Sequence, residues 1–217
     1  MPSARMIVGL VLGGVALAAA AFVAAVSMVN NVEQPTYGVV IAEGDIEIRD
    51  YPALVVAEVE TSGDRKTAIN IGFRPLAAYI FAKERAGDPI AMTAPVTQER
   101  KTIAMTAPVV QSRAKGLKDG GTWHVRFFMP SQHAMESLPK PAAENVRLMD
   151  VPATRRAAIR FSGVATDALI IEKEARLRDW LTKRGTTSSG PPTYAYYNAP
   201  FTPGPMRRNE VWLEISE

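Results

Sequence analysis

Apolar and polar side chains alternate with a period of two along several segments of the chain, which is the pattern of half-buried strands. In the first half, the segments with strand character are residues 46–49, 55–60, 90–96 and 123–129. Apolar residues recur at helical spacing over residues 65–83, which predicts a helix between the second and third of these strands. Pro75 lacks a backbone N–H, so we expect this helix to be kinked or broken near Gly72.

The second half of the chain repeats this order of elements. Strand character returns at residues 146–151 and 157–161. We expect Asp167 to cap a second helix that ends at Gly185. Residues 186–192 are rich in Gly, Pro, Ser and Thr and predict a loop, after which a hairpin closes the sheet. The order strand-strand-helix-strand-strand therefore occurs twice, which predicts an α+β fold.

The N-terminal segment, residues 1–32, carries a single charge, that of Arg5. Residues 6–29 are uncharged and long enough to span the roughly 30 Å hydrocarbon core of a bilayer, so we predict a transmembrane anchor. The alternative is a signal peptide cleaved near residues 25–27. Since Arg5 precedes the span, the positive-inside bias places the following domain in the periplasm of a bacterium, anchored in the inner membrane or secreted.

Residues 33–217 fit one domain. All 22 acidic residues and all but one of the 25 basic residues lie there, so its net charge is only +2. Without a block of Lys and Arg, nucleic acid is a poor candidate partner. The absence of cysteine excludes disulfides, cysteine nucleophiles and covalent c-type haem attachment. The sequence has no P-loop, no Gly-x-Gly-x-x-Gly and no Gly-x-Ser-x-Gly motif. Oligomeric state stays open.

One heptapeptide, Ile-Ala-Met-Thr-Ala-Pro-Val, occurs twice, at residues 90–96 and again at residues 103–109. The 13-residue period is too short for a solenoid unit. We expect the two copies to build an extended hairpin with residues 98–101 as its turn.

Several motifs carry a resemblance to a known family. They are Gly72-Phe-Arg-Pro-Leu76, Ile90-Ala-Met-Thr-Ala-Pro-Val96, Phe127-Phe-Met-Pro130, Tyr196-Tyr-Asn-x-Pro200 and Arg207-Arg-Asn-Glu-Val-Trp-Leu213. In this order they resemble the SOUL family of haem-binding proteins, over residues 37–215. The resemblance implies a distorted antiparallel β-barrel built from two pseudo-repeats with two helices. In this chain one hydrophobic N-terminal helix would precede it.

The resemblance also implies a non-covalent haem site in an apolar groove along the first helix. Hydrophobic contact and pairing of propionates with basic side chains would hold the haem. The matching residues are Phe73, Arg74, Ala77, Ile80 and Phe81, of which Arg74 is the candidate partner of a propionate.

Candidate iron ligands are few, because the chain has only two histidines. His124 lies in a predicted strand and His133 in a predicted loop, where a surface position is the ordinary expectation. Some family members have a histidine before the first Tyr-Pro turn, but this chain has Asp50 there. Met92 and Met105, at matching positions of the two heptapeptide copies, could be soft axial ligands, although strand methionines usually fill the core.

The last strand offers a different kind of site. Glu210, Trp212 and Glu214 alternate with apolar residues, so they share one face of the sheet. The wider superfamily includes gyrase-inhibitor-like domains that bind cationic aromatic drugs with a pocket carboxylate, an arrangement that Glu210 with Tyr196 and Trp212 resembles. Alternatively, Glu210 only caps the bend at residues 207–209.

The leading hypothesis is therefore a membrane-anchored haem- or tetrapyrrole-binding protein that sequesters or carries haem without catalysis. A second is a binder or hydrolase of small cationic or aromatic molecules that uses Glu210. A third is a scaffold whose cleft is vestigial and whose partner is another envelope protein. Fold alone does not distinguish them.

Overall fold

The computed structural model describes residues 32–101 and 120–216. They form nine strands: β1 Gly38–Glu43, β2 Ile46–Tyr51, β3 Leu54–Gly63, β4 Val96–Arg100, β5 Gly121–Phe128, β6 Val146–Val151, β7 Thr154–Phe161, β8 Ser188–Tyr196 and β9 Asn209–Ile215. The helices are α1, Arg65–Ile80, and α2, Asp167–Lys183, with single 3-10 turns at Met135–Ser137 and Gly204–Met206. The prediction of an α+β fold is confirmed.

All nine strands form one antiparallel sheet in the order β1-β2-β7-β9-β8-β4-β5-β3-β6. The first repeat contributes β2 to β5 and the second contributes β6 to β9. When β1 is set aside, corresponding strands of the two repeats occupy equivalent positions counted from opposite ends of the sheet. The two halves therefore meet at the β8–β4 pair. Among the described residues β1 and β6 do not pair with each other, so the sheet is open and the expected closed barrel is wrong.

Both helices pack on the same face of this sheet. On α1, Ala68, Leu76 and Ile80 are buried, and on α2 so are Ile170 and Leu177. Gly72 brings α1 against β5, because a Cβ built at Gly72 would lie 2.7 Å from a methyl group of Val125. This glycine thus serves a close approach of helix and sheet.

The opposite face of the sheet is concave. A single pocket on it touches both Met149 of β6 and Arg156 of β7, which are six strand positions apart in the sheet order. A flat sheet would separate them by about 29 Å. Trp212 and Phe128 also meet on this face, with ring centroids 6.3 Å apart.

Several local predictions are corrected. Helix α1 continues through Pro75, so a break near Gly72 is wrong. The cap of α2 is Thr166, whose hydroxyl accepts from the Leu169 N–H, while Asp167 begins the first turn. The predicted loop at residues 186–192 overlaps β8, and residues 90–95 precede β4 rather than belonging to a regular strand.

The predicted turn at residues 98–101 is also wrong. Gln98 is fully buried within β4, which pairs with β5 on one side and with β8 on the other. The second heptapeptide copy, residues 103–109, and the predicted membrane span, residues 6–29, lie outside the described residues. Within the described ranges, neither helix has the length and apolar character needed to cross a bilayer.

Candidate functional site

A groove of about 510 Å³ lies between the first three turns of α1 and the connection from β8 to β9. Its walls include the apolar side chains of Ile69, Phe73, Val96 and Val164. Its basic and polar lining residues are Arg65, Lys66, Asn70, Arg74, Tyr196, Asn198, Arg207 and Asn209. The volume lies in the range of small-molecule and cofactor sites, which is about 300–1,000 Å³.

The far wall of the groove is held in place by local hydrogen bonds. The side chain of Asn198 accepts a hydrogen bond of 2.6 Å from the Arg208 N–H. The amide of Asn209 donates to the Gly163 carbonyl at 3.0 Å. The Arg207 guanidinium donates to the carbonyl of Thr202 at 2.7 Å. These bonds give the Pro/Gly loop a defined shape.

Arg65 closes the bottom of the groove and joins the two repeats. Its guanidinium donates to Asp167 at 2.7 Å, to the Tyr196 hydroxyl at 2.7 Å and to the Ala165 carbonyl at 2.8 Å. Burial alone would lower the pKa of Arg65, but Tyr196 and Asp167 raise it above its usual value. Its positive charge is therefore fixed and already partnered.

The groove has a net positive lining. Lys66 and Arg74, two turns apart on α1, are exposed, and none of the described residues pairs with either side chain. Among the described lining residues there is no Asp or Glu. The groove therefore combines apolar walls with two cations free to bind an anionic group.

The described lining offers no strong iron ligand, because it contains no His, Cys or Met. Tyr196 is the one lining side chain of a type that ligates haem iron. Burial raises the pKa of Tyr196 despite the opposing effect of Arg65, so the phenol stays protonated at neutral pH. Its oxygen already accepts a hydrogen bond from Arg65.

The residues predicted from the sequence divide between several places. Phe73, Arg74 and Tyr196 line the groove. The others do not: Ile80 is in the core beneath α1, Phe81 is 45% exposed beyond the end of the helix, and Ala77 and Met92 are half-buried outside the groove. Whether any of them binds a ligand stays a prediction.

Other lining residues were not identified from the sequence. Val164, Asn198 and Arg207 come from loops, and Val96 begins a strand. The helical spacing of Ile69 and Phe73 is the one signal that could have extended the predicted set, because residues four positions apart share a helix face.

Glu210 is at the centre of a buried network on the opposite, concave face and is 1% exposed. One carboxylate oxygen accepts from Arg49 at 2.8 Å, from the Tyr197 hydroxyl at 2.7 Å and from the Trp212 indole at 2.7 Å. The other accepts from Arg49 at 3.2 Å and from Arg208 at 3.0 and 2.7 Å. Six donors thus occupy a carboxylate that has about four lone-pair sites.

The predicted grouping of Glu210 with Tyr196 and Trp212 is only partly present. Trp212 contacts Glu210 directly, whereas Tyr196 projects from the helix-bearing face toward Arg65. Because its oxygens are occupied, the Glu210 carboxylate has no free acceptor for a cationic ligand. The contact with Arg208 agrees with the alternative that Glu210 stabilises the bend before β9.

The two histidines lie away from the groove. His124 is on the concave face of β5, with Nδ1 3.0 Å from Glu58. His133 follows β5 in the loop that leads to the first 3-10 turn. Among the described residues, no group of three or more potential ligands is placed to hold a metal ion.

A family model described as SOUL heme-binding protein matches residues 32–214. A search of curated proteins gave no match.

Among solved structures, the C-terminal domain of EcmrR is 13% identical with a TM-score of 0.56, and the match covers 83% of this chain and 98% of that chain. A hydrolase from Listeria innocua is 12% identical with a TM-score of 0.54, covering 82% of this chain and 94% of that one. An uncharacterized conserved protein from Listeria innocua is 12% identical with a TM-score of 0.56, and the match covers 79% of this chain and 92% of that one. These similarities concern the fold alone.

Proposed function

The chain belongs to the SOUL heme-binding protein family, and from this premise we propose that the groove beside α1 binds a haem or a related tetrapyrrole. The protein would sequester or carry this ligand rather than transform it. The observation that supports the proposal is the combination, in one groove, of apolar walls, two unpaired cations and no acidic side chain among the described lining residues.

The chemistry of this lining fits a tetrapyrrole that bears carboxylates. Ile69, Phe73 and Val164 would contact the faces and edges of the macrocycle, and burial of apolar area contributes about 25 cal/mol per Å². Lys66 and Arg74 would pair with the propionates at the open edge of the groove. The iron, when present, supplies redox and ligand-binding chemistry, but the groove residues supply position and charge.

Binding through the macrocycle rather than the metal gives a sharp test. Titration of the full chain with haemin, followed by Soret absorbance, should show saturable one-to-one binding. Iron-free protoporphyrin IX, followed by fluorescence, should bind within about threefold of haemin, because no firm axial bond is lost. If haemin binds no better than it binds an unrelated protein, the proposal is refuted.

Variants locate the site. We expect Phe73→Ala to weaken haemin binding by about tenfold, since a large apolar contact is lost. Arg74→Gln should weaken it by about two- to fivefold, the size expected of an exposed ion pair. Arg147→Gln makes the same chemical change on the exposed face of β6 and is the matched control. Equal affinities for all four proteins would place the ligand elsewhere.

We also propose that residues 6–29 anchor the protein in the inner membrane of a bacterium, with the domain in the periplasm. The length and apolar character of this segment and the position of Arg5 support this arrangement. Fractionation should find the chain in the membrane pellet after high-salt washing, and external protease should digest the domain in spheroplasts. Recovery of a shortened chain in the periplasmic fraction would instead show signal cleavage.

A further inference from the structure

The concave face of the sheet contains a second pocket, of about 290 Å³, far from the groove beside α1. It lies over β7 and β9 and reaches β6 and the start of β8. Its floor and walls include Trp212, Met149 and Val151. It is too small for a tetrapyrrole but large enough for one or two fused rings.

Arg156 projects into this pocket beside two aromatic rings that contact each other. Its guanidinium carbon lies 5.3 Å from the ring centroid of Tyr51 and 5.3 Å from that of Trp212. The rings themselves are 5.6 Å apart. Stacking of this kind fixes the orientation of a guanidinium but uses none of its five N–H donors.

Those donors have no partner in the part of the chain that the structure describes. Across residues 32–101 and 120–216, no oxygen accepts a hydrogen bond from the Arg156 guanidinium and no carboxylate lies within ion-pair distance. Burial lowers the pKa of Arg156, although Tyr51 and Glu214 act in the opposite direction. An arginine still keeps its charge, so a fixed and unsatisfied cation faces the pocket.

A second polar group beside it is also unsatisfied. Thr154 is two residues earlier on β7, so it shares the face of Arg156. Its hydroxyl is buried and, within the described part of the chain, has no hydrogen-bond partner. Buried polar groups are nearly always paired, but this oxygen is closed to solvent and does not open into the pocket, so the guanidinium of Arg156 is the group that indicates a ligand.

The remaining charges of the pocket are compensated or peripheral. Arg126 donates to Glu58 at 2.6 Å and is 3.6 Å from Glu99. Glu99 also accepts from the Thr193 hydroxyl at 3.0 Å. Asp150 and Glu214 are exposed at the rim.

We propose that this pocket binds a small organic carboxylate with a planar apolar body. The carboxylate would accept two hydrogen bonds from Arg156, and the ring would lie against Trp212 and Met149. A pocket centred on the Glu210 carboxylate would prefer a cation. Here the Glu210 oxygens are occupied by donors of the protein, and Arg156 faces the pocket, so we expect a preference for an anion. This pocket and the groove beside α1 lie on opposite faces of the sheet, so each can be tested without the other.

The test uses three probes of matched shape on the full chain, with isothermal titration calorimetry. They are 1-naphthoate, uncharged 1-naphthamide and cationic 1-naphthylmethylammonium. We expect 1-naphthoate to bind one-to-one and at least about tenfold more tightly than the amide, since a charge-assisted bidentate contact is lost with the amide. Equal binding of acid and amide, tighter binding of the cation, or no binding of 1-naphthoate up to about 5 mM would each overturn the proposal.

Variants identify the group responsible. Arg156→Gln should weaken 1-naphthoate binding by about tenfold or more, and Arg156→Lys should give an intermediate value because it keeps the charge but not the fork geometry. Glu214→Gln should tighten binding by about two- to threefold, since a rim carboxylate that repels the ligand is removed. Arg160→Gln, an exposed arginine on the same strand, is the matched control and should have no effect.

If Arg156→Gln does not fold, the comparison of acid with amide on the wild-type chain and the Arg156→Lys variant still decide the matter. Unchanged affinity in Arg156→Lys would show that the guanidinium does not recognise the carboxylate, and would overturn the proposal.

Discussion

Replacement of Glu210 by Gln should destabilise the fold by about 3–5 kcal/mol at pH 7, the usual result of breaking a buried ion pair from one side. The change keeps the size of the side chain but places an NH₂ group where three donors now converge. It also leaves the Arg49 guanidinium, 2% exposed, with Glu47 as its remaining carboxylate partner among the described residues. For a domain of this size the loss corresponds to a decrease in Tm of about 6–20 °C.

The pKa of Glu210 gives a second magnitude for the same contacts. Burial alone would raise the pKa, but the hydrogen bonds and charge of Arg49, the charge of Arg208 and the bond from Trp212 hold it at about 2. The difference from the ordinary value of 4.5 corresponds to about 3 kcal/mol, which agrees with the estimate from the ion pair.

The sign of the pH dependence follows from the depressed pKa. Glu210 contributes its full stabilisation above about pH 4.5, and the contribution falls as the pH drops from there toward 2. The difference between wild type and Glu210→Gln should therefore be largest at neutral pH and shrink in acid. Urea unfolding at several pH values, followed by circular dichroism, measures it.

Glu172→Gln, an exposed glutamate of α2 in contact with Lys173, is the control and should change the free energy of unfolding by less than about 0.5 kcal/mol. If Glu210→Gln is as stable as wild type at pH 7, the Glu210 network does not stabilise the fold. The same conclusion follows if the difference in free energy of unfolding between the two proteins is unchanged at pH 2.5.

Two further predictions concern α1. Gly72→Ala should destabilise the fold by about 1–3 kcal/mol, because the new methyl group overlaps Val125, and Gly72→Ala with Val125→Ala should recover part of the loss in the same unfolding assay. Asp64→Ala should cost about 1 kcal/mol by removing the cap that accepts hydrogen bonds from the first-turn N–H groups of Lys66 and Thr67, whereas Lys66→Ala should leave stability within about 0.5 kcal/mol of wild type.

The sequence predicts most elements correctly where periodicity is strong. The strands β2, β6 and β7 and both helices follow from alternation and helical spacing, because each of these elements buries one apolar face. Closure of the sheet does not follow, since the pairing of edge strands depends on long-range geometry that a period of two does not encode.

The wrong local predictions have a common physical cause. Residues 186–192 contain Gly and Pro and have loop composition, yet β8 begins at Ser188 and tolerates them through a register irregularity and a positive φ at Gly190. Gln98 belongs to a polar stretch between the two heptapeptide copies but is held in the middle of the sheet by strands on both sides. In both cases long-range pairing overrides local preference.

The C-terminal motif shows why the sites are only partly predictable. Tyr196 and Arg207 line the groove, while their sequence neighbours Tyr197 and Arg208 belong to the Glu210 network on the other face. Alternation along the chain therefore places the side chains of this one motif on two opposite faces of the sheet. Val164 and Arg156 come from other parts of the chain, and only the fold brings them to the groove and to the concave pocket.

The central claim, a tetrapyrrole in the groove beside α1, is tested most directly by locating the bound ligand. Ferric haemin is paramagnetic and broadens methyl resonances near it, so methyl NMR of the haemin-saturated chain reports its position. We predict broadening of Ile69, Val96 and Val164 in the groove, with the signals of Val151 in the concave pocket unchanged. Sharp signals from Ile69 and Val164 at saturation, or broadening confined to Val151, would contradict the account.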